Sequence, residues 1–481
     1  MLLKRIYDDA LAQASWLVGC QATGTALVID PNRDVAQYVR AAEAEGMRIT
    51  HVTETHIHAD FVSGSRELAQ VTGAELLLSA EGGPDWLYAF AHAAHATLLH
   101  DGDQFMVGNI RLDVVHTPGH TPEHLSFLLT DTPAGDRLMG AFTGDFIFVG
   151  DVGRPDLLER AAGVANTMEA GAHTLFASLQ RFKALPDYLQ IWPGHGAGSA
   201  CGKSLGAVPT STLGYEKLVN WGLAVNDEQA FVREVLAGQP EPPAYFAQMK
   251  RINRDGPDAL GGLPRPGRLA PGPLVEVLAR GMTVIDTRTA ANFAARHVPG
   301  TISIPANKSL STYAGSVLPF DVPYYLLCDE PVTEVAERVA RDLALIGYDR
   351  VQGTFGIDAI DQWQQAGRAV GRVEQLAPAD VAARLARGEV RVIDVRKRSE
   401  WDDGHLPGAD LIPLAELVAR AGEIPTDRPL VMQCQGGGRS SIAASVLRAR
   451  GVAVVDNLAG GFSAWAAAGL PVEKPTTAGV A

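Results

Sequence analysis

The 481 residues are too many for one ordinary domain, and at roughly 150 residues each about three domains are expected. The content, 46% hydrophobic and 20% charged, is that of globular proteins and excludes a disordered or fibrous chain. A net charge of −14, from 55 acidic and 41 basic residues, argues against nucleic acid or an anionic membrane as the main partner, because both select basic faces, and leaves small molecules.

The first stretch, MLLKRIYDDALAQASWLVG, carries Lys4, Arg5, Asp8 and Asp9 and lacks the uninterrupted apolar run of a signal peptide. No later stretch is long and apolar enough to be read as a membrane span. The four cysteines, at 20, 201, 328 and 434, are too scattered for a disulfide framework and fit a reducing compartment, so a cytoplasmic location is expected. Cys20, ending the apolar WLVGC, reads as a core residue.

Across residues 1 to 255, strand-like runs end abruptly in loops that carry the polar chemistry. RITHVTE runs into THIHADF, IRLDVV into HTPGHTPEH, RLMGAF into TGD, and YLQIW into PGHG. Eleven of the thirteen histidines lie at or before position 195, several of them in these loops. An isolated histidine is usually a satisfied core or surface residue, but four such loops in this order point to a metal site at one edge of a sheet sandwich. His92 and His95 are spaced to share a helical face, and His116 and His124 flank the PGHT loop, where they are expected to hydrogen-bond; none receives a catalytic role. Asn226-Asp-Glu-Gln is expected to cap a helix through AFVREVLAG.

These residues resemble the metallo-β-lactamase superfamily, whose pattern His-x-His-x-Asp-His, then His, Asp and His, is met by His56, His58, Asp60, His120, Asp145 and His195. Phe61 stands where the pattern has another histidine. The resemblance implies an αββα sandwich over roughly the first half of the chain. With Phe61, the second position of a two-metal site keeps at most Asp60, His195 and a share of Asp145, a poor zinc site. Two histidines and one carboxylate with open positions suit non-haem Fe(II) and oxygen chemistry, as in the superfamily's persulfide dioxygenases. That resemblance places one Fe(II) per chain on His56, His120 and Asp145, with His58, Asp60 and His195 behind, orienting ligands and water. The competing reading is a two-zinc thioester hydrolase of the glyoxalase II type, against which Phe61 argues.

Past His195, the loop PGHGAGSACGKSLG brings Cys201 toward the metal edge, either to contact substrate sulfur or as a small residue in a tight turn. Arg154 and Lys203 follow metal-site loops and suit either the carboxylates of a thiol tripeptide or domain-interface salt bridges. The Gly- and Pro-rich stretch 256 to 272 reads as a linker.

The remainder is an internal repeat. VIDTRTAANFAARHVPGTISIP (284 to 305) matches VIDVRKRSEWDDGHLPGADLIP (392 to 413), with Asp286 and Asp394, His297 and His405, and Pro305 and Pro413 at one constant offset. Apolar strands alternate with helical stretches in each copy, which predicts α/β domains with parallel sheets. The second copy contains VMQCQGGGRSSIAAS: a strand, Cys434, three glycines, Arg439 and a helix start. Glycines let several N–H groups turn into one concavity, the helix N-terminus adds positive potential, and Arg439 adds a cation, a setting that favours a thiolate.

This loop, with VIDVR and GHLPGA upstream, resembles a rhodanese, a sulfurtransferase whose cysteine carries a persulfide. The resemblance implies Cys434 as sulfur carrier, with Arg439 beside it and Gln435, Gly436, Gly437, Gly438 and Ser440 as its cradle. In the first copy Cys328 is followed by Asp329, Glu330 and Pro331, without glycines or arginine. Residues 273 to 372 are therefore expected to be an inactive rhodanese-like domain, and 373 to 481 an active one. In domain order the chain resembles bacterial fusions of a persulfide dioxygenase with rhodanese domains. That implies small-molecule persulfides, O2, sulfite and thiosulfate as partners; no oligomer interface can be read, though a homo-oligomer is compatible.

Overall fold

A computed structural model describes residues 1–160 and 167–474. The chain divides into two compact units, Met1–Leu263 with Ala344–Gly347, and Pro264–Leu343 with Tyr348–Ala481. Among the described residues no helix is long and apolar enough to cross a membrane.

The first unit contains two six-stranded sheets. One runs in sequence order through Leu2–Asp8, Gln13–Cys20, Thr25–Ile29, Arg48–Thr53, Glu75–Ser79 and Thr97–Leu99. Its first pairings are antiparallel and its last three parallel, the helices Val35–Glu43 and Ser65–Thr72 supplying two of the crossovers. The other sheet comprises Gln104–Val107, Ile110–His116, Leu125–Asp131, Gly140–Gly144, Gln190–Pro193 and Ser211–Thr212. It is antiparallel except where Gly140–Gly144 pairs with Gln190–Pro193, a parallel pair reached through the helix Met168–Phe182.

The strand QASWLVGC shows why this becomes four layers. It is buried throughout, and its side chains alternate between two cores. Trp16, Val18 and Cys20 pack between the sheets with Leu27, Phe127, Phe142 and Trp192. Leu17 points the other way, into a core with Tyr38, Val52 and Leu68 under the helices of the first sheet. The second sheet repeats this on its outer face, where Ala141 and Ile191 meet Leu175, Phe182 and Phe231. The result is the αββα sandwich that the resemblance implied.

The second unit contains two parallel sheets with one strand order. The first runs Ile302–Ser303, Thr283–Asp286, Tyr324–Cys328, Val351–Gly356. The second runs Asp410–Leu411, Arg391–Asp394, Leu430–Gln433, Val455–Leu458, and adds Gln375–Leu376 at the far edge. The repeat extends to side chains. Arg288 forks onto Asp286 and reaches the carbonyl of Arg296 at 2.8 Å; Arg396 forks onto Asp394 and reaches that of Gly404 at 2.8 Å. His297 stacks on Phe293 and His405 on Trp401, with ring centroids 4.0 and 3.7 Å apart.

Two local expectations resolve differently. Asp227 caps the helix Glu228–Leu236, its side chain accepting from the N–H of Ala230 at 2.7 Å, as the sequence suggested. His92 and His95 do not share a helix: residues 89–95 are successive turns, and His95 ends them at φ 53°, a left-handed conformation that stops helix propagation.

Candidate metal centre and sulfur loop

Four strands of the first unit deliver their chemistry at their ends. His56 follows Arg48–Thr53, His120 follows Ile110–His116, Asp145 follows Gly140–Gly144, and His195 follows Gln190–Pro193. One ligand atom each from His56, His120 and Asp145 lies within 4.8 Å of the others, and all three residues are buried. The Nε2 atoms of His56 and His120 stand 3.9 and 3.6 Å from Oδ2 of Asp145.

The tautomers follow from what lies behind each ring. The Thr55 hydroxyl donates to Oδ2 of Asp30 at 2.9 Å, so its oxygen is left to accept from Nδ1 of His56 at 3.0 Å. Nδ1 of His120 donates to the carbonyl of Arg154 at 3.1 Å, and Nδ1 of His195 to that of Ala12 at 2.9 Å. Every Nε2 lone pair is thereby aimed inward, the arrangement a metal-binding histidine needs. Burial, then neighbouring histidines, holds His56 and His120 well below the usual histidine range, so both are neutral. Burial raises the Asp145 carboxyl to about 6. Neither Asp145 oxygen has a hydrogen-bond partner, which suits metal ligation, since a buried carboxylate left unpaired is costly. The donor set fits a divalent ion.

His58 lies behind this group. Burial alone would lower it, but Asp30, 3.2 Å from its Nε2, holds it at about 9 with help from Glu54 and Asp60. Phe61 is fully buried, its ring centroid 4.4 Å from that of His58. Asp60 and His195 do more than orient: with Cys201 they form a second group of buried ligand atoms within 4.8 Å. The remnant expected at that position, Asp60, His195 and a share of Asp145, therefore has Cys201 beside it, because the loop after His195 folds back over the metal edge. Burial, then Asp145 and Asp60, pushes the Cys201 thiol well up.

The two cations offered for substrate are engaged elsewhere. Arg154 is fully buried, forked onto Asp156 at 2.8 and 2.7 Å, and donates to the carbonyl of Ala200 at 2.8 Å. Lys203 pairs with Glu234 at 2.9 Å and sits 4.0 Å over the ring of Trp221. Arg154 thus ties the His120 imidazole, through its own carbonyl, to the Cys201 loop, and neither side chain is presented to a ligand.

Several functional residues carry no motif. Asp30 also accepts from the N–H of Thr55 at 2.6 Å, and Glu123 accepts from that of Ile57 at 2.9 Å. Asn253, on the helix Phe246–Asp255, donates to the carbonyls of His58 and Phe61 and accepts from the N–H of Ser63. His124 accepts from the N–H of Asp145 at 3.2 Å while its Nδ1 meets the Thr117 hydroxyl, the hydrogen bonding expected around PGHT. The same helix brings Lys250, Arg251 and Arg254 to a cavity of about 450 Å³ beside Ile57, with Lys250 4.3 Å over the ring of Trp86. Burial lowers the Lys250 ammonium to about 8.

In the second unit, Cys434 sits at the end of Leu430–Gln433. Its sulfur accepts from the N–H of Gly437 at 3.1 Å and from the Ser440 hydroxyl at 3.2 Å. Gly437 has φ 94°, which lets the chain turn into the helix Gly438–Ala449. Arg439 does not donate to the sulfur: it forks onto Glu400 at 2.6 and 2.7 Å, which holds its pKa up against burial. Gln435 approaches Arg396 and Ser463, and Gly436, Gly437 and Gly438 line a cavity of about 790 Å³ with Ala290 and Ala294 of the first repeat. Cys328 has no such cradle. Among the described residues its sulfur meets the hydroxyls of Thr287 and Thr354, and burial, more than the acids beside it, raises its pKa.

Fold and site together define a metal-binding αββα domain joined to a rhodanese-like sulfur loop. Residues 8–195 match the family model of the metallo-beta-lactamase superfamily, and residues 377–468 that of the rhodanese-like domain. A metallo-beta-lactamase structure from Staphylococcus aureus subsp. aureus COL is 43% identical, covering 74% of this chain and 99% of that one, with a TM-score of 0.66. The hydroxyacylglutathione hydrolase of Rhodospirillum rubrum is 30% identical over 185 residues, 37% of this chain and 60% of that protein's length. The mitochondrial persulfide dioxygenase ETHE1 of Bos taurus is 28% identical over 199 residues, 40% of this chain and 68% of its own. The chain belongs to the metallo-β-lactamase superfamily and carries a C-terminal rhodanese-like domain, an arrangement that fits a persulfide dioxygenase–rhodanese fusion.

Proposed function

We propose that the chain is a bifunctional enzyme of sulfur metabolism. Residues 1 to 255 oxidise low-molecular-weight persulfides such as glutathione persulfide, residues 273 to 372 are an inactive rhodanese-like copy, and residues 373 to 481 transfer sulfur through Cys434. The first reaction is persulfide plus O2 plus water giving thiol, sulfite and two protons. The observation that carries it is the convergence of His56, His120 and Asp145, with Phe61 where a further histidine would sit. Ferrous iron, when bound there, supplies a redox centre with open positions for sulfur and oxygen ligands. Thr55 and the Arg154 carbonyl hold the two imidazoles in the ligating tautomer. Lys250, Arg251 and Arg254 offer positive charge for the carboxylates of a persulfide-bearing peptide.

At the second centre the Cys434 thiolate attacks a sulfane sulfur, forming a new S–S bond as the donor leaves as its anion. Gly437 and Ser440 donate to the attacking sulfur, and sulfite takes the transferred atom to give thiosulfate. Both centres handle the same sulfane sulfur, and fusion raises its effective concentration. The test is metal analysis beside O2 uptake with several persulfides, in the wild type and Cys434→Ser. Iron with persulfide-dependent O2 uptake, surviving Cys434→Ser while thiosulfate formation is lost, is the expected result. Collapse of O2 uptake in that variant would sink the division of labour.

A hydrolase reading is favoured by one observation, the second ligand group of Asp60, His195 and Cys201. About two zinc ions per chain and thioester hydrolysis without O2 would establish it instead.

A further inference from the structure

We propose that the first repeat binds a free α-amino acid in a cavity at its own strand ends. The inference goes beyond the two sulfur reactions proposed above and depends on neither.

Strand order fixes where such a cavity lies. In the first repeat the chain leaves Thr283–Asp286 for Ile302–Ser303 on one side, and leaves Tyr324–Cys328 for Val351–Gly356 on the other. The connections diverge between Thr283–Asp286 and Tyr324–Cys328, and at such a point a crevice opens outside the carboxyl ends of a parallel sheet, where open α/β folds bind ligands. The second repeat has the same order, and Cys434 sits at the same point, after Leu430–Gln433 beside Arg391–Asp394. In the first repeat that point is a cavity of about 400 Å³. Thr287, just past one of the two strands, and Asp329, just past the other, line it with Asn307, Tyr313 and Arg338, and Gly438 of the second repeat adds a further wall.

The charges select the ligand. Arg338, on the helix Val332–Ala344, donates to the carbonyl of Ala306 at 3.3 Å, while Glu330 is taken by Arg268 at 3.1 Å. Among the described residues no ion pair joins Asp329 to Arg338 or gives either one another partner. One cavity therefore presents a carboxylate and a guanidinium that do not neutralise each other. An α-amino acid carries the complement of both on one carbon: its ammonium suits Asp329, and its carboxylate suits the fork of Arg338. Asn307 and Tyr313 add an amide and a hydroxyl for further hydrogen bonds. A simple anion meets Asp329 and a simple cation meets Arg338, so each is repelled by one side of the site. Cys328 takes no part, being buried against the hydroxyls of Thr287 and Thr354.

Gly438 gives the site its consequence. It opens the helix that follows Cys434, and the N–H of its neighbour Gly437 holds the Cys434 sulfur at 3.1 Å. A bound amino acid rests against the sulfur loop, either as a thiol-bearing acceptor or as an effector without a thiol.

Isothermal titration calorimetry of the full-length protein with L-serine tests this. One equivalent is expected to bind, with lactate, which lacks the ammonium, and ethanolamine, which lacks the carboxylate, at least tenfold weaker. Asp329→Asn and Arg338→Met should each weaken L-serine at least tenfold while keeping the native circular dichroism; the comparison with lactate and ethanolamine needs no variant. L-serine that competes with L-cysteine for sulfur from Cys434 identifies an acceptor site, and L-serine that alters transfer to sulfite without competing identifies an effector site. No binding of L-serine in the millimolar range, lactate or ethanolamine as tight as L-serine, or unchanged affinity in either variant overturns the proposal. The sulfurtransferase reading fails separately, if the wild type transfers no sulfur, and calorimetry does not need that transfer.

Discussion

Asp30→Asn is the sharpest perturbation of the metal centre, because Asp30 touches no proposed ligand yet sets the tautomer of one. Its Oδ1 accepts from the Thr55 N–H at 2.6 Å and faces His58 Nε2 at 3.2 Å, so an asparagine places its oxygen there. The amide NH2 then occupies the Oδ2 position and donates to the Thr55 hydroxyl, which in the wild type donates the other way at 2.9 Å. The hydroxyl hydrogen must turn toward Nδ1 of His56, moving that ring's proton to Nε2, where it blocks ligation. Exchanging a charge-assisted bond of about 1.5–3 kcal/mol for a neutral one of about 0.5–1.5 kcal/mol also weakens the anchor. A partner of this kind is worth about 10–100-fold in metal affinity, roughly 1.4–2.8 kcal/mol. Anaerobic competition for Fe(II) against a chromogenic chelator measures it, with sulfur transfer at Cys434 as a control for folding. An affinity within about twofold of wild type in natively folded Asp30→Asn would refute the tautomer argument.

Three further outcomes are expected. Ser440→Ala removes one of two donors to the Cys434 sulfur, a bond of about 0.5–1.5 kcal/mol, so alkylation of Cys434 and sulfur transfer should slow roughly 2- to 13-fold at neutral pH. Lys250 is charged below about 8 and neutral above, so the KM for an anionic persulfide should rise as pH passes upward through 8, and Lys250→Met should flatten that dependence. Phe61→Ala empties a fully buried site against His58 and should lower stability by about 3–5 kcal/mol in chemical denaturation of the metal-free protein.

The metal loops were legible because ligand types recur at strand ends with fixed local spacing, and the repeat was legible because its Asp-x-Arg and His-x-Pro-Gly signatures keep one offset. What the sequence concealed was contact across distance. Asp30 lies in a different strand loop from the histidines it orients, and Asn253 and Lys250 reach the site from a helix nearly two hundred residues on. Arg154 was left open between a ligand clamp and an interface salt bridge although Asp156 stands two residues away, because nothing local distinguishes an internal fork from either. Arg439 was read as a cation beside the sulfur, and its fork onto Glu400, from the helix Arg398–Asp402, could not be read from spacing. Cys201 was ambiguous because its meaning depends on a loop folding back, which spacing alone does not encode.

The paired forks Asp286–Arg288 and Asp394–Arg396 give the two repeats one frame around different cysteine loops. Each fork fastens its strand end to a carbonyl eight residues on, and Arg396 also reaches Oε1 of Gln435, the residue after Cys434, at 3.4 Å. The loop after Cys328 is therefore the place to transplant the sequence Gln435 to Ser440 and ask whether this frame also holds a reactive thiol.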